Sequence, residues 1–592
     1  MSQEQRTCLN CQSQFILESD DFEFYQKMKV PAPTRCPDCQ LQSRLAYRNE
    51  RTLYSRRDSI EGKNVISVFS PDKPLPVVSQ EYWWSDKWDP LSYGKPYDFS
   101  KPFFVQFREL MESTPWPSLL NLNATNSEYC NYTTDNKNCY LVFGGDFNED
   151  CAYGSFNMRT KDSMELYFVE KNELCYEVAD SNDCYRVFFS QGAHHCAESF
   201  FLLNCSNLQN CIGCVNLRGK QYTILNVQYT KEEYQQKILE LDLGNYQKLL
   251  DFQKIFQTFI QSQPHRFAQI VHGESSSGNN LEHVKNCVNC FDVINGAEDC
   301  KNVVISGWGL KDTRNSDHSG HTSELIYNTL GAFSGSSKVL CSLFIASSFE
   351  ISYSISCRGS SNLFGCVGLR QKSFCILNKQ YTEQEYNELV PKIIEHMNTM
   401  PYIDSQGKNH VYGDYFPMNY SPYCYNESVA QEYFPLTKEE VISKGYYWKD
   451  SETQERKMTL MATSLPVTIK EVSDTILNEL IGCEHAGACL EQCTSVYKIT
   501  PHELDFYRRI NLPLPHLCPN CRHYQRFKKR NPIKLWKRAC GCNGSGSKNS
   551  IYMNAVAHAH TSNPCSNEFE TTYSPDRPEI VYCEACYQSE VL

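Results

Sequence analysis

The stretch NCYLVFGGDFNEDCAYG, residues 138–154, places two cysteines 12 positions apart, each directly after Asn or Asp. Asn and Asp favour turns, whereas the aromatic and β-branched residues that follow such cysteines elsewhere favour strands. The cysteines around this stretch are separated by gaps of mostly 9 and 12, which together make 21. A period near 21 residues predicts a solenoid with one turn per repeat. The series runs through Cys130, Cys139, Cys151, Cys175, Cys184, Cys196, Cys205 and Cys214.

No segment within a repeat is long enough for a helix, so the predicted fold is mainly β: a cysteine-rich β-solenoid or β-helix. The solenoid is duplicated, because GCVNLRGKQYTILNVQYTKEEY (213–234) recurs as GCVGLRQKSFCILNKQYTEQEY (365–386). Each copy ends in a capping box that predicts a helix, at roughly 231–262 and 383–399. These helices would cover open strand edges at the ends of the two segments.

Cysteine is often a small buried residue, so the solenoid cysteines are predicted to pack the core in columns. A ladder of metal ions along these columns is the alternative. Only Cys211-x2-Cys214 and Cys287-x2-Cys290 have the spacing of metal ligands within this region.

Composition limits the possible classes of protein. The 592 residues are 41% apolar and carry a net charge of −12, so any contact with nucleic acid must come from a local patch. The N-terminus, MSQEQRTCLNCQ, has no apolar run, and no stretch has the length of a membrane span. We therefore expect a cytoplasmic protein whose 31 cysteines stay reduced, as metal ligands or core residues.

Two copies of a cysteine knuckle lie near the ends of the chain. In each copy a second pair follows the last cysteine of the first pair by 25 positions, and a shift of 482 also aligns Phe24-Tyr25 with Phe506-Tyr507. Four thiolates from two pairs form a closed tetrahedral site for structural zinc. In the second copy, Cys483 or His485 could replace one ligand. The predicted ligands are Cys8, Cys11, Cys36 and Cys39, and then Cys489, Cys493, Cys518 and Cys521.

The C-terminal tail predicts a third zinc site. Cys583-x2-Cys586 is a clear pair and Cys565 precedes it. The fourth ligand stays open among Cys540, Cys542, His558 and His560, with the cysteines favoured. About three structural zinc ions per chain are expected.

The first knuckle, CLNCQSQFILESDDFEFYQKMKVPAPTRCPDCQLQSR, resembles a zinc-ribbon domain of uncharacterised long bacterial proteins, of the kind seen in uncultured bacteria with reduced genomes. The ending NEFETTYSPDRPEIVYCEACYQSEV resembles a second small zinc-ribbon type. The resemblance implies that the cysteines of both knuckles are zinc ligands. It implies no activity.

Basic segments follow both knuckles and suggest nucleic acid as a partner. Eight Lys or Arg and no acid lie between positions 522 and 538, interleaved with aromatic residues. Such segments can contact phosphates and stack on bases. The alternative is a basic surface that docks on the acidic solenoid of the same chain. The candidate contacts are Arg44, Arg48, Arg51, Arg522, Arg526, Lys528, Lys529, Arg530, Lys534 and Trp536.

A carbohydrate-binding or carbohydrate-processing β-helix is the alternative function, because such folds use paired carboxylates in a groove. No catalytic triad and no open metal site is apparent, so catalysis is not predicted. The conspicuous histidines are the pairs His194-His195 and His318/His321. The candidate carboxylates are Asp146, Glu149, Asp150, Asp180 and Asp183.

The function predicted from the sequence is a zinc-binding scaffold or interaction protein, with DNA or RNA, or a protein on the solenoid face, as partner. The aromatic stretch YWWSDKWDPLSYGKPYDFSKPFF (82–104) is expected to cap the first solenoid turn, or else to form an exposed aromatic groove. The predicted regions are a zinc ribbon with basic segment (1–60), an aromatic linker or cap (61–125), the first solenoid (126–229), a helical segment (230–265), the second solenoid (281–381), a helix and Tyr/Pro-rich linker (382–480), the second ribbon with its basic arm (481–538) and a C-terminal ribbon (539–592).

Overall fold

A computed structural model describes residues 3–450, 457–549 and 552–591; part of the predicted Tyr/Pro-rich linker, 451–456, lies outside these ranges. Strands account for more of the described chain than helices, and most belong to two large sheets. The protein is therefore mainly β, as the sequence predicts. The α-helices are α1 Ser19–Met28, α2 Pro37–Leu45, α3 Gln80–Trp84, α4 Phe103–Ser113, α5 Lys231–Leu241, α6 Tyr246–Gln261, α7 Glu383–Thr399, α8 Ala430–Tyr433, α9 Lys438–Ser443, α10 Pro501–Ile510, α11 Pro519–Lys529 and α12 Glu584–Val591.

The first ladder (121–228) contains the first large sheet (155–228), in which every strand but the last pairs in parallel with a neighbouring strand of the chain, and the short parallel pairings that precede this sheet. The register is 12 residues, as in Tyr167 with Ala179, and not the 21 residues inferred from the cysteine gaps. Single bridges at the same register link 131 to 143, 134 to 146, 137 to 149 and 140 to 152, three residues apart. Its longer strands are Ser155–Met158, Met164–Glu170, Tyr176–Asn182, Tyr185–His194, Ala197–Ser206, Gln209–Val215 and Gln221–Ile224, closed by the antiparallel Val227–Gln228.

A sharp corner recurs at every third residue of this ladder. From Tyr132 to Leu225, each third residue has a φ between 47° and 67°, in the left-handed region. Asn and Asp tolerate this conformation better than other residues with a side chain, which explains why they precede so many cysteines. Asn138, Asp150, Asp183 and Asn204 all occupy such corners, so their predicted turn role is confirmed.

The residue after nearly every corner is buried, and cysteine suits this position for a physical reason. The Cys151 Sγ lies 3.3 Å from the carbonyl oxygen of Glu149 and 3.3 Å from that of Thr160, so its thiol can donate to backbone groups at the corners. Serine substitutes in the same column: Ser163 Oγ donates to Lys161 O and accepts from Cys175 N. The predicted role of these cysteines in the core is confirmed, since they form buried apolar clusters.

The second large sheet, the second ladder (270–380), has the same organisation with a less even register. The register is 13 residues between Phe291 and Val304, and 12 between Ser337 and Phe349. Its core also contains buried cysteines. Its strands are Ile270–Glu274, Gly278–Lys285, Cys290–Ile294, Ala297–Gly307, Leu310–Asp317, Glu324–Phe333, Ser337–Leu340, Leu343–Ala346, Phe349–Ser352, Ser361–Phe364 and Ser373–Ile376, closed by the antiparallel Lys379–Gln380.

Helices follow both ladders, as the sequence predicts. The capping boxes Thr230/Glu233 and Thr382/Glu385 are both formed, at the starts of α5 and α7. The predicted helix 231–262 is two helices, α5 and α6, because Asp242 adopts a left-handed conformation after Leu241. Phe252 and Phe256 of α6 pack on Phe201 of the first ladder.

The two knuckles pack crosswise on the ladders. Helix α2 of the first knuckle contacts strands of the second ladder, whereas α11 of the second knuckle contacts the first ladder. The aromatic pair Phe24 and Tyr25 packs on Tyr327, and the equivalent pair Phe506 and Tyr507 packs on Tyr176. The internal duplication is therefore visible in the tertiary contacts as well as in the sequence.

The aromatic stretch 82–104 was expected to cap the first solenoid turn, but it packs mainly on the second ladder. Trp83, Trp84 and Trp88 surround the Arg370 guanidinium near the end of the second ladder, with the Trp83 ring centre 4.3 Å away. Phe103 packs on rings of the same ladder. Gln80, two residues before this stretch, contacts the first ladder, where its Oε1 accepts from Asn121 N over 2.8 Å.

Short strands complete the structure, and within the described ranges no helix is both long and apolar enough to cross a lipid bilayer. The short pairs are Glu4–Thr7 with Gln14–Leu17, Tyr54–Arg57 with Asn64–Ser67, Val77–Val78 with Trp116–Pro117, Asn121–Leu122 with Thr133–Thr134, Pro264–Arg266 with Ile580–Tyr582, Tyr402–Ile403 with Asn409–His410, Trp536–Ala539 with Glu568–Thr571, Lys548–Asn549 with Tyr552–Met553, and the group Leu460–Met461, Ile481–Gly482 and Val496–Tyr497.

Candidate metal centres

The first centre contains the four cysteines predicted for the N-terminal knuckle, Cys8, Cys11, Cys36 and Cys39. Their Sγ atoms all lie within 4.8 Å of one another, and Cys11 Sγ is 3.7 Å from Cys36 Sγ. A zinc–sulfur bond of about 2.3 Å in a tetrahedron separates the sulfurs by about 3.8 Å, so the spacing fits a bound zinc-sized ion.

Local structure explains how these cysteines meet. Cys8 directly follows the strand Glu4–Thr7, and Cys36 is the N-cap of α2, with Pro37 at the first helical position. The Cys36 amide donates to Cys8 Sγ over 3.2 Å, and Asn10 Nδ2 donates to Cys39 Sγ over 3.2 Å. Such donors stabilise thiolates and orient them toward a cation.

The second centre is built on the same plan but with one ligand that differs from the prediction. Cys483, Cys493, Cys518 and Cys521 bring their Sγ atoms within 4.8 Å of one another. Cys483 follows the strand Ile481–Gly482, and the Cys518 amide donates to its Sγ over 3.2 Å, as Cys36 does to Cys8. Cys483, which the sequence left as a substitute, is therefore the structural equivalent of Cys8.

Cys489, predicted as a ligand of this centre, belongs to a neighbouring group instead. It lies with His485, Glu491 and Cys521, which also have their ligand atoms within 4.8 Å. A nine-residue loop separates Cys483 from Cys493 in the chain, and Cys489 lies within that loop, four positions before Cys493.

The third centre unites Cys540, Cys565, Cys583 and Cys586 within the same distance limit. Cys583 N donates to Cys540 Sγ over 3.2 Å, the same amide-to-sulfur contact as in the other two centres. Cys540 is thus the cysteine that completes this group. The other candidates, Cys542, His558 and His560, form a further group with Cys586.

These cysteine clusters are compatible with bound metal ions. Within the described part of the chain, none of the possible ligand groups includes a ladder cysteine. Cys211, Cys214, Cys287 and Cys290, which have ligand spacing, lie instead in the buried ladder cores.

Most of the predicted phosphate-contacting arginines are buried in ion pairs with carboxylates of the same chain. Arg44 Nε lies 2.6 Å from Asp317 Oδ2, and Arg526 is paired with Glu165. These two pairs are equivalent under the internal duplication, because the arginines are 482 positions apart and the carboxylates 152. The exposed fractions of all four side chains are 1% or less. Neither arginine can therefore reach an external phosphate while these pairs are intact.

The neighbouring arginines are similarly engaged. Arg522 Nη1 is 3.1 Å from Glu165 Oε1, and Arg530 Nε is 2.9 Å from Asp180 Oδ1. Arg48 pairs with Glu50 and stacks on the Tyr132 ring. Burial raises the pKa of Glu165, although Arg522 and Arg526 oppose that shift. The ladder therefore holds a carboxylate whose charge depends on these cations.

The remaining basic candidates are more accessible. Lys528 has a side chain 64% exposed and pairs with Glu491, while Lys529 is 3.1 Å from Glu177 Oε2. Lys534 is exposed and lies 5.4 Å from the half-buried Trp536 ring. Arg51 is half-buried and donates to Ser155 Oγ.

A cleft of about 730 Å³ separates the first centre from the basic segment 522–538, here called the basic arm. Cys11 and Phe15 lie on one side, whereas Phe527, Lys528 and Lys534 lie on the other. The cleft therefore combines accessible lysines with aromatic surface. The sequence alone did not indicate that the basic arm lies beside the first knuckle.

The carboxylates considered for carbohydrate chemistry each have a different partner. Asp146 Oδ1 accepts from Thr134 N over 2.7 Å, and Glu149 pairs with Lys137. Asp150 accepts from Asn138 Nδ2, Asp180 pairs with Arg530, and Asp183 lies 4.0 Å from His195 Nδ1. Each of these five carboxylates is thus engaged with a group outside the set.

The histidines singled out in the sequence lie against polar, charged or aromatic side chains. His194 Nδ1 lies 2.5 Å from Asn182 Oδ1, and burial lowers the pKa of His194 to about 4. Burial also lowers the pKa of His318, which lies near Arg48. His321 stacks on the Trp308 ring.

No protein-family model matches the sequence, and no curated protein matches it either. The functional argument therefore depends on the residues and contacts of this chain.

Proposed function

We propose that this protein is a zinc-stapled β-solenoid scaffold of the cytoplasm. The observation that carries the proposal is that two cysteine centres lie at the starts of α2 and α11, whose arginines form buried ion pairs with the two ladders. A metal ion at each centre would fix the helix that carries these cations. Metal binding would then also attach the knuckles near the two ends of the chain to the ladders.

The solenoid part of the proposal is supported by the register and the corners. Bridges three residues apart, all at a register of 12, support a coil in which every side pairs with the next turn. Four corners per 12 residues give a four-sided turn, and stacked turns would lie about 4.8 Å apart. We infer that each ladder closes on itself in this way.

Zinc is the proposed metal because four thiolates in a tetrahedral arrangement select zinc or iron–sulfur clusters, and each of the three centres contains at least one Cys-x2-Cys pair. With all four positions filled by protein, such an ion is structural. In a reducing compartment its thiolates would stay available for the metal.

Elemental analysis of the purified full-length chain tests this proposal. We expect at least three zinc ions per chain, and fewer than two would contradict it. Replacing Cys518 and Cys521 with serine should release α11 while circular dichroism still shows β structure. If the β signal were lost as well, the folding of the ladders would depend on the second centre. The proposal that this centre only fixes α11 would then be wrong.

A second candidate function is nucleic-acid binding in the cleft between the first centre and the basic arm. The specific observation that favours it is the exposure of Lys528 and Lys534 beside Phe527. Single strands suit such a cleft better than duplexes, because aromatic side chains can stack only on unpaired bases. The buried arginines would position the arm rather than contact phosphates.

Binding of mixed single-stranded DNA and RNA across a salt series tests this candidate. Affinity should fall steeply with salt in the wild type and be lost in Lys528→Gln/Lys534→Gln. The matched control is Lys231→Gln/Lys254→Gln, which removes two exposed lysines from α5 and α6 and should leave binding unchanged. Absence of wild-type binding at low salt would exclude nucleic acid and leave a protein on the outer ladder face as the partner.

A further inference from the structure

We propose that the second and third centres each hold two metal ions that share a bridging thiolate, Cys521 in one and Cys586 in the other. This inference rests on the proposed function, because it extends the zinc sites described above. Each bridging residue is the second cysteine of the last Cys-x2-Cys pair in its centre. Each belongs to two groups of four ligand atoms that lie within 4.8 Å of one another.

At the third centre, the second group is Cys542, His558, His560 and Cys586. His558 Nδ1 lies 3.7 Å from Cys542 Sγ, and His560 Nε2 lies 3.3 Å from Cys586 Sγ. A sulfur at about 2.3 Å and a nitrogen at about 2.0–2.1 Å from one zinc ion are separated by about 3.6 Å in a tetrahedron. The observed distances bracket this value.

The other nitrogen of each histidine is held by a fixed partner. His558 Nε2 lies 3.0 Å from Glu590 Oε2, and the exposed fractions of the two side chains are 1% and 0%. His560 Nδ1 lies 2.6 Å from the carbonyl oxygen of Asn563. Because metal-binding histidines donate their second N–H to a carboxylate or carbonyl, both rings are oriented as ligands.

Further contacts fix this arrangement. Glu590 Oε1 accepts from Tyr552 Oη over 3.0 Å and from Ala555 N over 2.6 Å. Asn554 Nδ2 donates to Cys542 Sγ over 3.3 Å. A fully buried carboxylate that holds a histidine, together with a donor on the facing thiolate, is the environment of a built metal site.

At the second centre a different observation carries the inference. His485 Nδ1 and Glu491 Oε2 are buried and lie 3.3 Å apart, yet neither makes a hydrogen bond within the described residues. Buried polar atoms without a hydrogen bond are costly, and a cation that binds both atoms would satisfy them. Cys489 Sγ, 3.7 Å from Cys521 Sγ, completes the group, while Lys528 holds the other oxygen of Glu491.

Charge also favours two ions in each centre. Five thiolates meet at the third centre, and a single divalent ion would leave most of that negative charge uncompensated in a partly buried site. A thiolate sulfur has more than one lone pair and can therefore bind two cations. The first centre has four cysteines and no second ligand group among the described residues, so it should hold one ion. The whole chain should then bind five.

Native mass spectrometry of the full-length protein, saturated with zinc chloride and freed of excess metal, measures this number directly. We expect five ions in the wild type and four in either His558→Ala/His560→Ala or His485→Ala/Glu491→Ala. The matched control is His272→Ala/His283→Ala, which removes two exposed histidines of the second ladder and should retain five.

Three ions in the wild type would overturn this inference but leave the structural zinc sites intact, whereas a chain without zinc would overturn both. A centre whose own variant keeps the wild-type number does not hold a second ion. X-ray absorption on the wild type gives a readout that does not depend on the folding of variants. A zinc–zinc distance of about 3.5–4 Å is expected, and its absence counts against the bridge.

Discussion

At the scale of single residues, the buried pair between Arg526 and Glu165 should be worth more than any surface pair. Arg526→Ala leaves Glu165 and Glu177 with one fewer cation in a buried site, so we expect a loss of about 3–5 kcal/mol in the free energy of unfolding. Urea denaturation measures the change. Lys338→Ala, which breaks an exposed pair with Glu350, is the control and should cost only about 0–1 kcal/mol. Equal losses would show that Arg526 is not a buried anchor.

Asp146 gives a residue-scale prediction with a definite pH dependence. Burial raises the pKa of this carboxyl from 3.8 to about 6, and the nearby Asp135 adds to the shift. Between these values the folded state binds more protons than the unfolded state, so stability falls as the pH rises from about 4 to about 6. Asp146→Asn removes this cost and keeps the oxygen that accepts from Thr134. It should stabilise the protein at pH 7, by up to about 3 kcal/mol, and have little effect at pH 4.

Glu149→Gln is the matched control for Asp146→Asn, because the hydrogen bond from Lys137 lowers the pKa of Glu149. Its contribution has the opposite sign, since an acid with a lowered pKa adds stability above its unfolded pKa. The substitution should therefore weaken the protein slightly at neutral pH. Urea midpoints at pH 4 and pH 7 distinguish the two cases, and the same pH trend in both variants would contradict the assigned shifts.

At the scale of elements, the left-handed corners should control which substitutions a ladder tolerates. Lys171 is exposed with a φ of 52°, whereas Lys161 is exposed but lies between corners. Valine is stiff and fits the left-handed region poorly, so Lys171→Val should cost about 1–2 kcal/mol. Lys161→Val should be nearly neutral. Thermal denaturation of the two variants compares them, and similar melting temperatures would contradict the role of the corners.

Much of each ladder was predictable from the sequence, but its period was not. Asn138 and Asp150 correctly indicated turns, and the capping boxes correctly placed α5 and α7. The period was wrong because cysteines occupy more than one column of the same ladder. A gap of 12 returns to the same column, whereas a gap of 9 stops one corner short. Ser163 continues the column of Cys151 and Cys175, because its hydroxyl bonds to backbone groups as their thiols do.

The candidate metal sites were predictable to the extent that their ligands occur in pairs. Every Cys-x2-Cys pair outside the ladders lies in a centre. Cys483 was harder to identify because nothing near it in the sequence repeats the pair spacing, and only strand pairing shows its equivalence to Cys8. The pairing of Arg44 with Asp317 could not be predicted, since it joins residues that are remote in the chain.

At the scale of the whole molecule, crosswise packing predicts which ladder each metal centre protects. Cys36→Ser/Cys39→Ser should loosen α2 and therefore raise hydrogen exchange in Leu310–Asp317 and Glu324–Phe333 of the second ladder. Cys518→Ser/Cys521→Ser should instead raise exchange in Met164–Glu170 of the first ladder. Hydrogen-exchange mass spectrometry resolves these segments. Each pair of substitutions serves as the control for the other, and the reverse pattern would contradict crosswise packing.

The even spacing of the corners also limits how such a chain can change in length. Removing 12 consecutive residues from the first ladder brings each later residue into the place of an equivalent one, so buried positions stay buried. Removing 11 would put the side chains of corner residues into the core and move former core residues to the positions that precede the corners. Insertions and deletions in related chains should therefore accumulate in whole turns within the ladder, and irregular changes should be confined to the connecting segments.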